Sequence, residues 1–306
     1  MQLTPRLALM LATPPLLWAG NAVVGRMSIG SMDPLWLNAF RWMVAFALLL
    51  LFGWRALATR EARAQIAARW GYLAILGLIG VGAYNALQYM ALRTSTPLNV
   101  TLIASSSPVW TMAIGAVAYG VMPKRLQLAG AVLSLLGVAL VLSRGDLSTL
   151  ARIEFVEGDM LMLLAILGWS IYSWMLARPP AHMLGDRRPA WNWAEFLVAQ
   201  SVFGVVWAVG GAAVGDLVAT SHPAQWSWAL AAAIAYMAIG PSIIAYRAWG
   251  LAVAEAGPAM AAIFYNLTPL FAAILSAAAI GEWPRLYHGI AFALIVAGIA
   301  VSSRAR

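Results

Sequence analysis

ALRTSTPLNVTLIASSSPVWTMAIGAVAYGVMPKRLQLAGAVLSLLG, residues 91–137, returns as AVAEAGPAMAAIFYNLTPLFAAILSAAAIGEWPRLYHGIAFALIVAG, residues 252–298. Without a gap, Pro97 meets Pro258, Pro108 meets Pro269, Gly120 meets Gly281 and Gly137 meets Gly298. Helix-breaking residues in register are a stronger mark of repetition than shared hydrophobicity. Each copy reads as a polar link, an apolar segment with a proline inside it, a glycine stop and a second apolar segment. The chain divides into two related halves, residues 1–150 and 151–306.

Composition says what the halves are. With 63% apolar and 10% charged residues and a mean hydropathy of +0.81, the chain is an integral membrane protein. The absence of cysteine excludes disulfides and thiolate metal sites. No cofactor is called for. The net charge of +8 does not point to nucleic acid, because the basic residues gather in links between apolar segments, as membrane topology requires.

Working outward, apolar segments fall near 7–27, 35–54, 70–92, 97–120 and 126–143. The second half follows with 158–177, 193–215, 227–251, 257–280 and 286–303. Each approaches the ~20 residues that cross a bilayer, so ten helices are expected. The first segment also fits a secretory signal, but it pairs with the sixth, where Trp18 and Trp169 hold comparable places. A cytoplasmic start puts most basic residues inside, among them Arg55, Arg60, Arg63, Arg69, Lys124 and Arg125. Both termini are then cytoplasmic. Five helices per half is an odd number, so the halves insert inverted. The expected fold is all-α: ten transmembrane helices as two inverted five-helix repeats around a central cavity. Such a pair binds substrate where the repeats meet and exposes it alternately to either side.

WAGNAVVGR at residues 18–26, the run from Ala91 and the run from Gly281 resemble the EamA-type drug/metabolite transporter superfamily over the whole chain, most closely its YddG-type aromatic amino acid exporters. The resemblance implies a bacterial inner-membrane location and export of amino acids or similar metabolites through a central cavity. Arg26 stands where such families often carry lysine. A monomer is expected, with the lipid bilayer and a small-molecule substrate as its partners.

Polar residues within spans are costly and face a cavity or a neighbouring helix. Trp18 and Asn21 share a face of the first helix, and Tyr84 and Gln88 form a stripe on the third. Ser106 precedes Pro108 with Trp110 beyond it, and Tyr265 and Asn266 precede Pro269. These residues, with Trp169, are the candidate substrate site. Before a proline, hydroxyls either repair the helix or contact substrate, and both readings stand here. Trp36, Trp42, Trp54, Trp193 and others read as interfacial belts. Arg41 and Arg247 read as snorkelling side chains, with a substrate carboxylate as the alternative partner for Arg41.

No deep carboxylate is evident to carry protons or sodium, which favours facilitated diffusion over a proton-coupled antiporter. An intramembrane enzyme is the weaker class. No aspartate lies deep, the three histidines lack HExxH spacing, and no P-loop surrounds Lys124.

Overall fold

The computed structural model describes residues 3–28, 30–218, 223–280 and 285–305, with no account of the side chains of residues 26, 97, 98, 218 and 276–280. Ten helical spans follow one another: α1 (Pro5–Met27), α2 (Pro34–Gly53), α3 (Trp70–Ala91), α4 (Pro97–Ser105 and Ser107–Tyr119), α5 (Arg125–Leu142), α6 (Glu157–Ala177), α7 (Trp193–Val218), α8 (Trp228–Ala256), α9 (Pro258–Tyr265 and Leu267–Ile280) and α10 (Leu286–Ser303). All ten lie close to the expected segments, with α7 and α8 running a few residues longer. The glycine stop of the second repeat, Gly281, lies outside the described residues, as does the side chain of Arg26.

Local chemistry sets the ends. Pro34 occupies the first turn of α2, where its missing N–H has no partner to lose, and the Asp33 carboxylate accepts from Leu35 N at 2.8 Å. Gly120 closes α4 in the left-handed conformation, φ 65°, which glycine adopts without a Cβ clash. Two short helices, Arg55–Ala58 and Arg60–Ala67, form the link from α2 to α3. Beyond them Arg69 donates to the His182 and Arg187 carbonyls, at 3.2 and 2.6 Å, tying this link to the one between α6 and α7.

The packing pattern shows the repeat directly. α1 packs against α8 and α9, and α6 packs against α3 and α4. Advancing every helix by five places converts the first arrangement into the second. α2 packs along α7 and α5 along α10, each helix meeting its own counterpart.

The α5–α10 seam is drawn together by small residues. A Cβ on Gly130 would lie 2.5 Å from the Gly298 carbonyl, and one on Gly137 would lie 2.8 Å from the Ala291 carbonyl. Rising along α5 means descending along α10, so the two are antiparallel. Since Gly137 and Gly298 are equivalent in the repeat, as are Gly130 and Ala291, the two contacts are copies of one another. Two inverted five-helix halves related by an approximate two-fold axis are the result.

Candidate substrate site

The site begins where α3 and α8 stop being regular. Each widens into a π-turn, Leu78–Ala83 in α3 and Ala238–Ile244 in α8, at equivalent places in the repeat. In α8 the cause is visible: Pro241 has no N–H to offer the Met237 carbonyl, and the Ser242 hydroxyl donates to it instead at 2.8 Å. Gly80 and Pro241 are equivalent positions, and the carbonyl of each accepts a bond from an aromatic side chain. Trp18 Nε1 donates to Pro241 O at 3.1 Å, and the Tyr246 hydroxyl donates to Gly80 O. Both bonds join one half of the molecule to the other.

Around these turns the rings close into one cluster. Trp18 meets Trp169 edge to face at 5.2 Å, with Trp249 at 5.3 Å and Tyr265 at 5.8 Å. Trp169 stacks on Tyr172 at 5.0 Å and lies 5.5 Å from Tyr84. Trp42 meets Tyr246 edge to face at 5.0 Å. The Tyr84 and Tyr265 hydroxyls bond at 2.7 Å, and Trp249 Nε1 donates to Ser173 Oγ at 3.2 Å. α1, α2 and α3 supply rings from the first half and α6, α8 and α9 from the second. Edge-to-face and offset pairs at these separations each add about 0.5–1.5 kcal/mol beyond area burial.

Of the residues expected at the site, Trp18, Tyr84, Trp169 and Tyr265 are in this cluster. Asn21 adjoins it, accepting from Arg41 Nη1 at 3.1 Å. Gln88 lies half-buried one turn beyond Tyr84, outside the ring contacts. Ser106 and Trp110 bond each other on α4, Nε1 to Oγ at 3.0 Å, while Ser106 also donates to Ile103 O at 2.6 Å. Helix repair, rather than ring contact, therefore describes them. Asn266 is wholly buried but donates to Ser134 on α5 at 3.0 Å, so it braces a helix contact beside the cluster.

Several members were not among the expected site residues. Tyr246 and Trp249, three apart on α8, and Tyr172, three beyond Trp169 on α6, each share a helix face with a partner ring, and that spacing was the available signal. Trp42 does not lie in an interfacial belt: it is wholly buried against Tyr246, on a face of α2 that packs against α8.

The charged residues also depart from expectation. Arg247 is exposed over the face of Trp193 at 4.4 Å, consistent with snorkelling, but Arg41 is 1% exposed and does not snorkel. The spans also hold two buried carboxylates. Asp159 accepts from Ser95 Oγ, from Asn99 Nδ2 at 3.1 Å and from Val156 N at 2.9 Å, and Glu195 accepts from Asn192 N at 2.8 Å. Both sit in the first turn of a helix as caps, favoured there by orphan N–H groups and the helix dipole. Among the described residues no cluster of histidine and carboxylate side chains could hold a metal ion.

A model of the EamA-like transporter family matches residues 6–143 and, a second time, residues 156–304. The chain belongs to that family. An uncharacterized transporter of Archaeoglobus fulgidus is 28% identical to this EamA-like chain over 298 residues, covering 96% of each. The uncharacterized inner membrane transporter YedA of Escherichia coli K12 is 24% identical over 290 residues, covering 94% of this chain and 87% of its own. A crystal structure 22% identical in sequence superposes with a TM-score of 0.75 over 97% of this chain and 96% of that one, so the fold is shared. The protein is thus a multi-pass membrane protein of a transporter family.

Proposed function

We propose that this EamA-like protein exports amino acids with largely apolar, above all aromatic, side chains across the bacterial inner membrane, as a monomer with both termini cytoplasmic. Residues 1–150 and 151–306 act as two bodies that rock about the cluster and expose it to one side at a time. The observation that carries this reading is the ring cluster itself. It is assembled from both halves, pinned to the matched carbonyls Gly80 O and Pro241 O, and edged by the amide of Asn21 and the hydroxyls of Tyr84 and Tyr265. An apolar enclosure with a few polar handles suits a solute with an apolar side chain and a small polar end. Facilitated diffusion is favoured because the buried carboxylates Asp159 and Glu195 are engaged as helix caps.

The test is counterflow of labelled amino acids into liposomes carrying the purified protein. Phenylalanine, tryptophan and leucine should exchange, and charged amino acids should not. Exchange of none of them overturns the proposal.

A further inference from the structure

Arg41 lies seven residues into α2, about 10 Å along the helix from its start. It is 1% exposed, so its charge reaches neither water nor headgroups. Its neighbours are all neutral. Nη1 donates to Asn21 Oδ1 at 3.1 Å, the guanidinium lies 5.6 Å from the centre of the Trp42 ring, and the phenols of Tyr89 and Tyr246 flank it. Among the described residues the one ion pair within 4.0 Å is Arg93 with Asp33, so no carboxylate answers Arg41. A buried charge left so is strongly unfavourable.

The imbalance extends beyond the charge. Arg41 Nε, Trp42 Nε1 and Trp169 Nε1 are buried donors with no acceptor among the described residues. Trp42 and Trp169 both pack against Tyr246, which places two of these donors within the ring cluster and the third beside it. On the same face of α2, one turn before Arg41, Asn38 Oδ1 is a buried acceptor with no donor. Three spare donors, one of them cationic, suit a ligand end that only accepts and is negative. The spare acceptor beside Arg41 on α2 suits a group that only donates.

We infer that Arg41 receives the carboxylate of the transported solute, held with Asn21 at the outer edge of the ring cluster, and that Asn38 receives its ammonium group. The inference rests on the proposed export of amino acids and specifies which chemical feature of them is required: a free carboxylate, whatever the side chain. With the rings packed as they are here, the guanidinium is enclosed, and the solute reaches it when the halves part. Asn21 holds the guanidinium in place through its amide oxygen.

The experiment compares exchange of phenylalanine with that of phenylalaninamide, which keeps the ring and the ammonium but loses the carboxylate. It uses proteoliposomes of the wild type, Arg41→Lys and Arg41→Gln, with monodispersity in detergent checked for each. The wild type should favour the acid about tenfold or more, as expected for a hydrogen-bonded charged group. In Arg41→Lys, which keeps a charge but not the two-pronged geometry, the ratio should fall. In Arg41→Gln it should come within about twofold of unity. Equal exchange of acid and amide by the wild type overturns the role of Arg41 even if the variants fail to fold. An unchanged ratio in a well-folded Arg41→Gln does the same. Absence of exchange for every amino acid instead overturns the export reading on which the inference rests.

Discussion

Trp169 touches more of the cluster than any other ring, meeting Trp18, Tyr84, Tyr172, Tyr246 and Trp249. Trp169→Phe keeps an aromatic ring but loses area and some of these contacts. Exchange of aromatic amino acids should fall by roughly two- to tenfold relative to alanine, the range that ring pairing supplies. Trp110→Ala should lower both alike, because Trp110 bonds Ser106 on its own helix and stands outside the ring contacts. A selective loss in Trp110→Ala with none in Trp169→Phe would reverse the assignment. At this scale the sequence was half legible. A mid-helix tryptophan looks like a site residue in Trp110 and in Trp169 alike, since position along a helix is written in the sequence but direction around the bundle is not. Of the two readings of Arg41, snorkelling fails for the same reason: ten ångströms of depth suits it unless neighbouring helices cover the side chain. Asp159 offers a second check at this scale. Asp159→Asn should weaken the bonds from Ser95, Asn99 and Val156 and lower stability by about 1–3 kcal/mol, read as a lower melting temperature in detergent, while exchange persists in the folded fraction. Loss of exchange at unchanged stability would give Asp159 a coupling role.

Among the elements, the π-turns of α3 and α8 are the least regular and the least legible. Pro241 announces an interruption in α8, but nothing so plain marks α3, where Gly77, Gly80 and Gly82 admit the close approach of α7 and of the Tyr172 ring. The paired prolines of α4 and α9 were plain in the sequence and drew attention to the bends there. α4 is bent by 42° between its two segments, yet the hydroxyls of Ser105 and Ser106 serve the helix. Ser242→Ala should expose how much the α8 turn depends on its substitute donor. Losing this side-chain bond to the Met237 carbonyl inside the bundle should lower stability by about 0.5–1.5 kcal/mol, measured by thermal unfolding in detergent. The seam of α5 and α10 gives a sharper outcome. Gly130→Ala and Gly298→Ala should each destabilise, because each new methyl meets a backbone carbonyl at 2.5 Å. The double variant should lose less than the two losses together, since helices already pushed apart accommodate the second methyl. Full additivity would mean that the seam is looser than its geometry.

For the whole molecule, the ten spans and the repeat were legible because hydropathy and in-register prolines and glycines record them, and the packing of each helix against its counterpart follows from the two-fold axis. The same axis makes a prediction about membrane sidedness. Lys124 and Arg285 are both exposed at the starts of the equivalent helices α5 and α10. Replaced singly by cysteine, they should be labelled from opposite faces of the membrane, and labelling from one face would contradict the inverted insertion. Dissipating the proton gradient across proteoliposomes should leave exchange unchanged, as the capping roles of Asp159 and Glu195 imply.

Because Gly130 faces Gly298 as Ala291 faces Gly137, the seam is a surface complementary to its own copy. A single five-helix subunit bearing it would dimerise only with a twin threaded through the bilayer the other way up. Joining the two in one polypeptide removes the need for a population of mixed orientation, and lets each half accumulate its own charges at its own face. The contrast between the links Lys124–Arg125 and Arg285 is what such divergence leaves behind.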